Sequence, residues 1–166
     1  MEKLLLEIGA EEIPAGYIAP ALKALSTNLK KKLTAARIAH GAVSVYGTPR
    51  HLAVMIDDVA VRQKTLTIEV QGPPEKVAYD HAGNPTVAIQ KFAEKVGVDV
   101  SALKVKKTEK GSYVCAKVVE RGLATRTILK QMLPEAVLSI PFPKTMKWGE
   151  LDITFARPIH SILALL

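Results

Sequence analysis

The sequence predicts an α+β fold: a split ferredoxin-like (βαββ–αβ) domain with an antiparallel sheet, interrupted by a smaller inserted α+β module. When Gln63 to about Arg121 is set aside, the remaining segments follow the order strand, helix, strand, strand, helix, strand. The part set aside has a strand, a helix and a hairpin of its own. We therefore predict a split domain of residues 1–62 and 122–166, with an inserted module of residues 63–121.

The first half of the split domain contains a strand, a helix and a hairpin. Lys3–Gly9 is a short apolar run typical of a buried strand. A helix is predicted from about Tyr17 to Arg37, because apolar residues recur there at spacings of three and four. The β-branched runs Ala42–Tyr46 and His51–Ile56 follow, and the Gly-Thr-Pro-Arg connection between them indicates a hairpin.

The inserted module begins with Leu66–Val70, which alternates apolar and polar residues as a half-exposed strand does. A Gly-Pro-Pro triplet is predicted to end that strand. A helix follows, with Asn84 as its cap, Pro85 in the first position and Gly97 at the end. The next segment indicates a hairpin that turns at residues 109–111.

The second half of the split domain begins with a helix from about Ala124. Pro134 interrupts its pattern, which predicts a kink or two short helices. The last strand is predicted at Leu151–Phe155, and we expect Ile153–Phe155 to lie in one sheet with Leu4–Ile8. The closing run "IHSILALL" carries no turn signal, so we expect the split domain to continue in a longer protein.

The composition indicates a basic, globular protein. Net charge is +7, from 23 Lys and Arg against 16 Asp and Glu, and the pI is about 9.5. Such a balance attracts polyanions, although solubility alone also accounts for it. No signal peptide or membrane-length apolar run is present, so we expect a cytoplasmic protein with no membrane partner. The single cysteine, Cys115, lies in an apolar run, which favours a buried thiol.

Catalytic signatures are largely absent from the sequence. No glycine-rich phosphate loop occurs, and the four histidines are far apart and lack metal-ligand spacing. Glu7, Glu11 and Glu12 flank the end of the first strand and are the best candidates for paired carboxylates. Because no His, Lys or nucleophile adjoins them in sequence, they favour an acidic loop or an interface over a catalytic dyad. We predict no catalytic and no metal-binding residue.

The stretch from Pro141 to His160 combines an aromatic residue with several cations. Trp148 is flanked by Lys144, Lys147, Arg157 and His160, which together can stack on a base and contact phosphates. Alternatively, Trp148 packs against the sheet while the lysines are solvated. The composition of this stretch does not separate the two interpretations.

Four stretches carry a resemblance that these patterns do not reveal. In order and separation they resemble the N-terminal part of the β subunit of bacterial tetrameric glycyl-tRNA synthetase. They are "LLLEIGAEEIP" (Leu4–Pro14), "YGTPRHLAV" (Tyr46–Val54), "FPKTMKWG" (Phe142–Gly149) and "FARPIHSILALL" (Phe155–Leu166). The linking "QGPP" and "DHAGNPTVAIQKFAEKVGV" match as well, so the resemblance covers essentially the whole chain. Ser161 departs from the pattern, because an aromatic residue is common there.

The resemblance implies a division of labour between two subunits. In this family the α subunit carries the class II active site and uses ATP and Mg²⁺ to activate glycine. The β subunit is needed for tRNA binding and for the α2β2 assembly. It continues through an HD-like domain to an anticodon-binding domain. Its N-terminal region resembles the body and tail modules of archaeal CCA-adding enzymes, which hold the acceptor arm of tRNA.

By this resemblance the split domain is body-like, the inserted module is tail-like, and the chain carries no catalytic site or cofactor. The implied partners are the α subunit, tRNA(Gly) and the remaining domains of the β subunit. We predict RNA contacts from an exposed Phe142–Gly149 loop and its neighbours, and protein contacts from three glutamates. The predicted RNA-binding residues are Arg50, Lys144, Lys147, Trp148, Arg157 and His160, and the predicted interface residues are Glu7, Glu11 and Glu12.

Two other functions remain open at this point. The chain can be a structural piece that docks other β-subunit domains or the α subunit without touching tRNA. It can also be an editing hydrolase, by analogy with the β subunit of the phenylalanine enzyme. Glycine is the smallest amino acid, so a catalytic pocket excludes larger ones by size, and the missing nucleophile weakens the editing hypothesis further.

Overall fold

The computed structural model describes residues 1–80, 82–109, 111–147 and 150–166. These residues divide into two compact units, residues 1–64 with 122–166, and residues 65–121. Their assignment as body-like and tail-like modules stays a prediction. In chain order the elements are β1 (Glu2–Ala10), α1 (Ala15–Ala35), β2 (Val43–Gly47), β3 (His51–Val59), β4 (Leu66–Pro74), α2 (Glu75–Ala78), α3 (Val87–Val96), β5 (Lys104–Thr108), β6 (Gly111–Glu120), α4 (Thr125–Leu138), β7 (Met146–Lys147), β8 (Thr154–Phe155) and β9 (Ile159–Leu165).

The described part of the first unit is built on a four-stranded sheet in the order β2-β3-β1-β9. Every neighbouring pair is antiparallel, and Leu6 lies opposite Val54 on one side and Ala164 on the other. Two of the helices, α1 and α4, pack on one face of this sheet. This is the strand order of a split βαββ–αβ fold, so the predicted fold class is confirmed.

The core of the first unit lies between the sheet and the two helices. Alternate residues of β1, namely Leu4, Leu6 and Ile8, have at most 1% of their surface exposed. They pack with Leu25 and Leu29 of α1, which recur at helical spacing. Each such side chain stabilises the fold by about 1.5–3 kcal/mol relative to leaving it in water.

The prediction that Leu151–Phe155 is the last strand of the large sheet is wrong. Ile153–Phe155 does not join Leu4–Ile8, because β8 pairs with β7 in a separate two-stranded ribbon. The fourth position in the large sheet belongs to β9, which runs beside β1. Phe155 is 1% exposed because its ring packs edge-on against Phe142, with centroids 4.8 Å apart. Phe155 is therefore apolar because it packs against another aromatic ring. The strand that follows α4 in the large sheet is β9, so the order of strands and helices in the split domain is preserved.

The second helix of the first unit, α4, is continuous from Thr125 to Leu138 with Pro134 inside it. Of the two predicted alternatives, the break into two short helices does not occur, and the kink stays a prediction. Pro134 cannot donate to the carbonyl of Lys130, which costs one helical hydrogen bond. Leu133 and Ala136 on either side are buried in the core, and their packing holds the helix together across that gap.

The second unit contains a three-stranded sheet in the order β4-β6-β5, as far as the structure describes it. Its small core lies between one sheet face and α3, and consists of Ala78, Ile89, Ala93, Leu103, Val114 and Ala116. The Gly-Pro-Pro triplet does not end β4, which continues to Pro74. The β5–β6 hairpin forms as predicted, although residue 110 of its turn lies outside the described residues.

The start of α3 differs from the prediction by two residues. Thr86, not Asn84, precedes the helix, and Pro85 forms an isolated bridge with Tyr79. The backbone N–H of Asn84 donates instead to Asp80 Oδ1 at 2.8 Å, within a turn. Gly97 ends the helix as predicted, with a left-handed φ of 70° that glycine adopts without strain.

Candidate nucleic-acid interface

Three of the sequence motifs meet at one end of the four-stranded sheet. The end of β1 carries "GAEEIP", and the segments entering β3 and β9 carry "YGTPRH" and "FARPIH". Antiparallel neighbours bring the end of one strand beside the starts of the next two. Backbone hydrogen bonds join the segments: Ala10 N donates to Arg50 O at 2.9 Å, and Glu11 N donates to Pro158 O at 2.9 Å.

The ionisable side chains at this end form what we call the sheet-end cluster: Glu11, Glu12, Arg50, Arg157 and His160. Arg50 Nη2 donates to Glu12 Oε1 at 3.3 Å, and His160 Nε2 lies 2.9 Å from Glu11 Oε1. Arg157 Nε donates to the backbone oxygen of Glu12 at 3.1 Å. The paired side chains are half or more exposed, so these contacts are weak and the groups stay accessible to a partner.

No His or Lys adjoins these glutamates in sequence, but the fold places His160 beside Glu11 and Arg50 beside Glu12. His160 and Arg50 are far from Glu11 and Glu12 in sequence, and only the sheet order brings them together. Glu7 lies outside the cluster, in the middle of β1 opposite Ala53 and Leu163. The predicted acidic and basic sets are thus largely one mixed surface.

The predicted RNA-facing loop is tied to the fold at several points. Phe142 packs against Phe155, and Met146 and Lys147 form the strand β7. Arg157 Nη1 lies 3.3 Å from Met146 Sδ, which connects this ribbon to the sheet-end cluster. Trp148 and Gly149 fall outside the described residues.

The two lysines of this loop differ in their surroundings. Lys144 is exposed, with no hydrogen bond or ion pair to any other residue that the structure describes. Lys147 is exposed as well, but its Nζ lies 2.6 Å from Oδ1 of Asp152, a side chain that is 95% exposed. Lys147 therefore carries a counter-charge that Lys144 lacks.

A second group of cations was missed by the sequence analysis. Three lysines, Lys104, Lys106 and Lys117, lie with Tyr113 on the side of the second unit's sheet that points away from α3. We call this surface the lysine face. Lys106 lies opposite Tyr113 across the β5–β6 pair, and Lys117 lies opposite Glu69 across the β4–β6 pair. The signal was the alternation in "LKVKK", which places two lysines on one side of a strand.

One ion pair orders part of the lysine face. Lys106 Nζ lies 2.7 Å from Glu69 Oε2. The hydrogen bond from Lys106 lowers the pKa of the Glu69 carboxyl, and the same bond raises the pKa of Lys106. Cys115, on the same sheet side, is 7% exposed and free, as predicted for a buried thiol.

Residues 4–166 match the family described as glycyl-tRNA synthetase beta subunit. The chain belongs to this family. The resemblance carried by the four motifs is thereby confirmed.

Curated relatives of this family agree over nearly the whole chain. It is 58% identical over 166 residues to the glycine–tRNA ligase beta subunit of Desulfatibacillum aliphaticivorans, covering 100% of this chain and 24% of the relative. Identity to the glycine–tRNA ligase beta subunit of Desulforapulum autotrophicum is 49%, with the same coverage. The one of Myxococcus xanthus is 47% identical over 98% of this chain and 23% of its own length. The chain thus spans about a quarter of the length of these relatives.

Two further kinds of feature, membrane-spanning helices and metal sites, are absent from the described residues. None of their helices combines the length and apolar character required to cross a membrane. They contain no group of three or more His, Cys, Asp or Glu side chains arranged to hold a metal ion.

Proposed function

We propose that this chain is the non-catalytic N-terminal region of the β subunit of a glycine–tRNA ligase, and that it binds the acceptor arm of tRNA(Gly). In the same proposal it helps to hold an α2β2 assembly in the cytoplasm. The α subunit supplies the site for glycine, ATP and Mg²⁺. The observation that carries the RNA-binding role is the surplus of exposed cations, a net charge of +7, in a chain of this family.

Phosphate contacts supply the affinity in this proposal. Each cation that meets a phosphate releases condensed counterions, so binding weakens steeply with salt. Lys144 and Lys104 are suited to this role because they are exposed and have no carboxylate partner among the described residues. Lys147 must first leave Asp152, which reduces its net contribution.

The sheet-end cluster positions two further cations. Arg50 and Arg157 both bond to Glu12, through its carboxylate and its backbone oxygen respectively. A guanidinium held in this way loses less conformational freedom when a phosphate approaches. The nearby carboxylates of Glu11 and Glu12 repel that phosphate. The cluster therefore favours phosphates that lie directly beside Arg50 or Arg157.

A second candidate function is supported by the same pairs. Arg50, His160 and Lys147 already have carboxylate partners, which fits a protein-docking surface without direct tRNA contact. Under this alternative the sheet-end cluster meets another β-subunit domain or the α subunit. The net positive charge would then serve solubility.

Footprinting of tRNA(Gly) on the assembled α2β2 enzyme tests the proposal. The acceptor-arm phosphates should be protected from hydroxyl-radical cleavage. Replacing Lys144, Lys147, Lys104 and Lys117 by alanine should remove that protection while anticodon-arm protection persists. An unchanged acceptor-arm footprint in the folded variant enzyme would favour the docking alternative.

A further inference from the structure

The edge strand β9 has apolar side chains exposed on both of its sides. Ile162 is 55% exposed on the helix side of the sheet, where its partner Ile8 is buried. Leu163 and Leu165 are 43% and 53% exposed on the opposite side. Of the described strands, only β1 pairs with β9, so no described strand occupies the other edge of β9.

An apolar groove runs along the helix side of β9. It has a volume of about 920 Å³ and lies between β9 and the outer surface of α4. Leu129, Leu133, Val137 and Leu138 line it from α4, and Ile162 and Ala164 line it from β9. Leu138 is 47% exposed, so the groove leaves apolar surface on both of its walls in water.

The other side of β9 continues this apolar surface. Leu163 lies opposite Glu7, and Leu165 lies opposite Leu5, on the sheet face opposite to the one against which the described helices α1 and α4 pack. An antiparallel sheet with one face in water normally alternates apolar and polar residues along its strands. Residues 161–165 do not alternate in this way, since four of the five are apolar.

The opposite edge of the same sheet shows the contrast. Natural edge strands carry charges, prolines or alternating polar residues that discourage further pairing. In β2, Ser44 and Tyr46 occupy the open face and the strand is followed by Pro49. Residues 161–165 of β9 contain neither a charge nor a proline, so this strand lacks the features that discourage pairing at a natural edge.

We propose that β9 is an interior strand in the intact β subunit, where an extended segment of the same polypeptide from outside residues 1–166 pairs with its free edge. The occupant is assigned to the β subunit itself because about three quarters of each relative lies outside the matched region. A strand added about 4.8 Å from β9 directs alternate side chains into the groove beside α4 and the others beside Leu163 and Leu165. The segment is therefore an apolar run about as long as β9, with its charges confined to its ends.

Hydrogen exchange measured by mass spectrometry tests this proposal. The samples are the 166-residue chain, a full-length β subunit that carries it, and the α2β2 enzyme. In the full-length β subunit without α, amides of residues 159–165 should exchange at least about 100-fold more slowly than in the 166-residue chain. Protection of β1 and β3 in all samples shows that the sheet is folded.

The remaining outcomes overturn the proposal. Protection of β9 that appears only when the α subunit is added would assign this edge to the α subunit. Protection in the 166-residue chain that rises with its concentration would assign it to a second copy. Equal, rapid exchange in every sample would leave β9 as a true edge strand.

A matched pair of variants gives an independent measurement. Ile162→Lys and Val119→Lys both alter apolar side chains that are 55% and 56% exposed in this chain. Ile162→Lys should lower the unfolding temperature of the full-length β subunit and leave that of the 166-residue chain nearly unchanged. Val119→Lys, on the second unit, should change neither. Equal effects of Ile162→Lys in both proteins would contradict the added strand, whatever the outcome for tRNA binding.

Discussion

His160 Nε2 lies 2.9 Å from Glu11 Oε1, although 149 positions separate the two residues in sequence. The pair joins the start of β9 to the end of β1, and the neighbouring Arg50–Glu12 pair joins the turn before β3 to the same point. Three segments that carry the family's motifs are thus held at one end of the sheet by contacts that leave their charges exposed.

The Glu11–His160 pair should contribute little to folding. Its side chains are 51% and 59% exposed, and exposed pairs typically contribute less than about 1 kcal/mol. A double-mutant cycle with Glu11→Ala and His160→Ala, measured by urea unfolding, should give a coupling free energy below about 1 kcal/mol. A coupling of several kcal/mol would mean that the pair is a structural element, and loss of tRNA binding in these variants would then not report a direct contact.

If the predicted loop contacts tRNA as proposed, its two lysines should affect tRNA affinity through phosphates. Lys144→Ala/Lys147→Ala in the α2β2 enzyme should weaken binding uniformly across tRNA sequences and make the salt slope shallower by about two units. Filter binding over a range of salt concentrations measures both effects. Unchanged affinity and slope in a folded variant would leave the loop with a structural role only.

Asp152 provides a test of opposite sign for the same contact. Asp152→Asn removes the counter-charge 2.6 Å from Lys147 and changes no other described ion pair. If Lys147 meets a phosphate, this variant should bind tRNA more tightly, by a factor of a few. Because Asp152 is 95% exposed, folding stability should stay unchanged. Asp152→Asn in a Lys147→Ala background is the control, and there the gain should disappear.

The lysine face of the second unit should make its own contribution to tRNA binding if it contacts RNA. Lys104→Ala/Lys117→Ala removes two exposed cations and leaves the Lys106–Glu69 pair intact. If this face contacts RNA, the salt slope should again fall by about two units, additively with the loop variant. An unaltered slope would limit RNA contact to the first unit.

Gly122 should not tolerate a side chain. A Cβ at this position would lie 2.0 Å from the backbone oxygen of Gln63. Gln63 cannot move away easily, because its N–H donates to Leu123 O at 3.0 Å and its side-chain amide donates to Ala36 O at 2.7 Å. Gly122→Ala should therefore reduce the free energy of unfolding by about 1–3 kcal/mol or more.

Gly16→Ala is the matched control for that prediction. A Cβ at Gly16 meets no atom within 4 Å, and this residue lies in the first turn of α1. The same chemical change should be neutral there or stabilise the fold by up to about 1 kcal/mol. Urea unfolding of the two variants should give effects of opposite sign, and equal losses would refute the steric explanation.

The Asp80 carboxylate should make a pH-dependent contribution to the stability of the second unit. The backbone N–H of Asn84 is the main cause of the lowered pKa of Asp80, and the Asn84 side chain and the Ala82 N–H act in the same direction. A carboxyl with a lowered folded-state pKa stabilises the fold above its unfolded pKa, about 3.9, and loses that contribution as pH falls through the folded value. The difference in unfolding free energy between the native chain and Asp80→Asn should be present at pH 7 and shrink below about pH 4. A difference independent of pH would show that the charge of Asp80 does not stabilise this turn.

The sequence alone predicted the fold class, the split order of the elements and the family. Helical spacing marked α1, and β-branched runs marked β2 and β3, because local periodicity records which side of an element is buried. The buried Cys115 and the end of α3 at Gly97 were also read from local residues. The four motifs identified the family because their order and separation were specific together.

Only the tertiary structure decided which strands pair and which charges meet. Both Leu151–Phe155 and the run at 159–165 have the composition of a strand, but a strand's partner depends on where the preceding helix delivers the chain. The pairs Glu11–His160 and Glu12–Arg50 form because antiparallel order places the end of β1 between the starts of β3 and β9. Periodicity reports burial along one segment, whereas pairing depends on contacts between segments far apart in the chain, and these exist only once the sheet has formed.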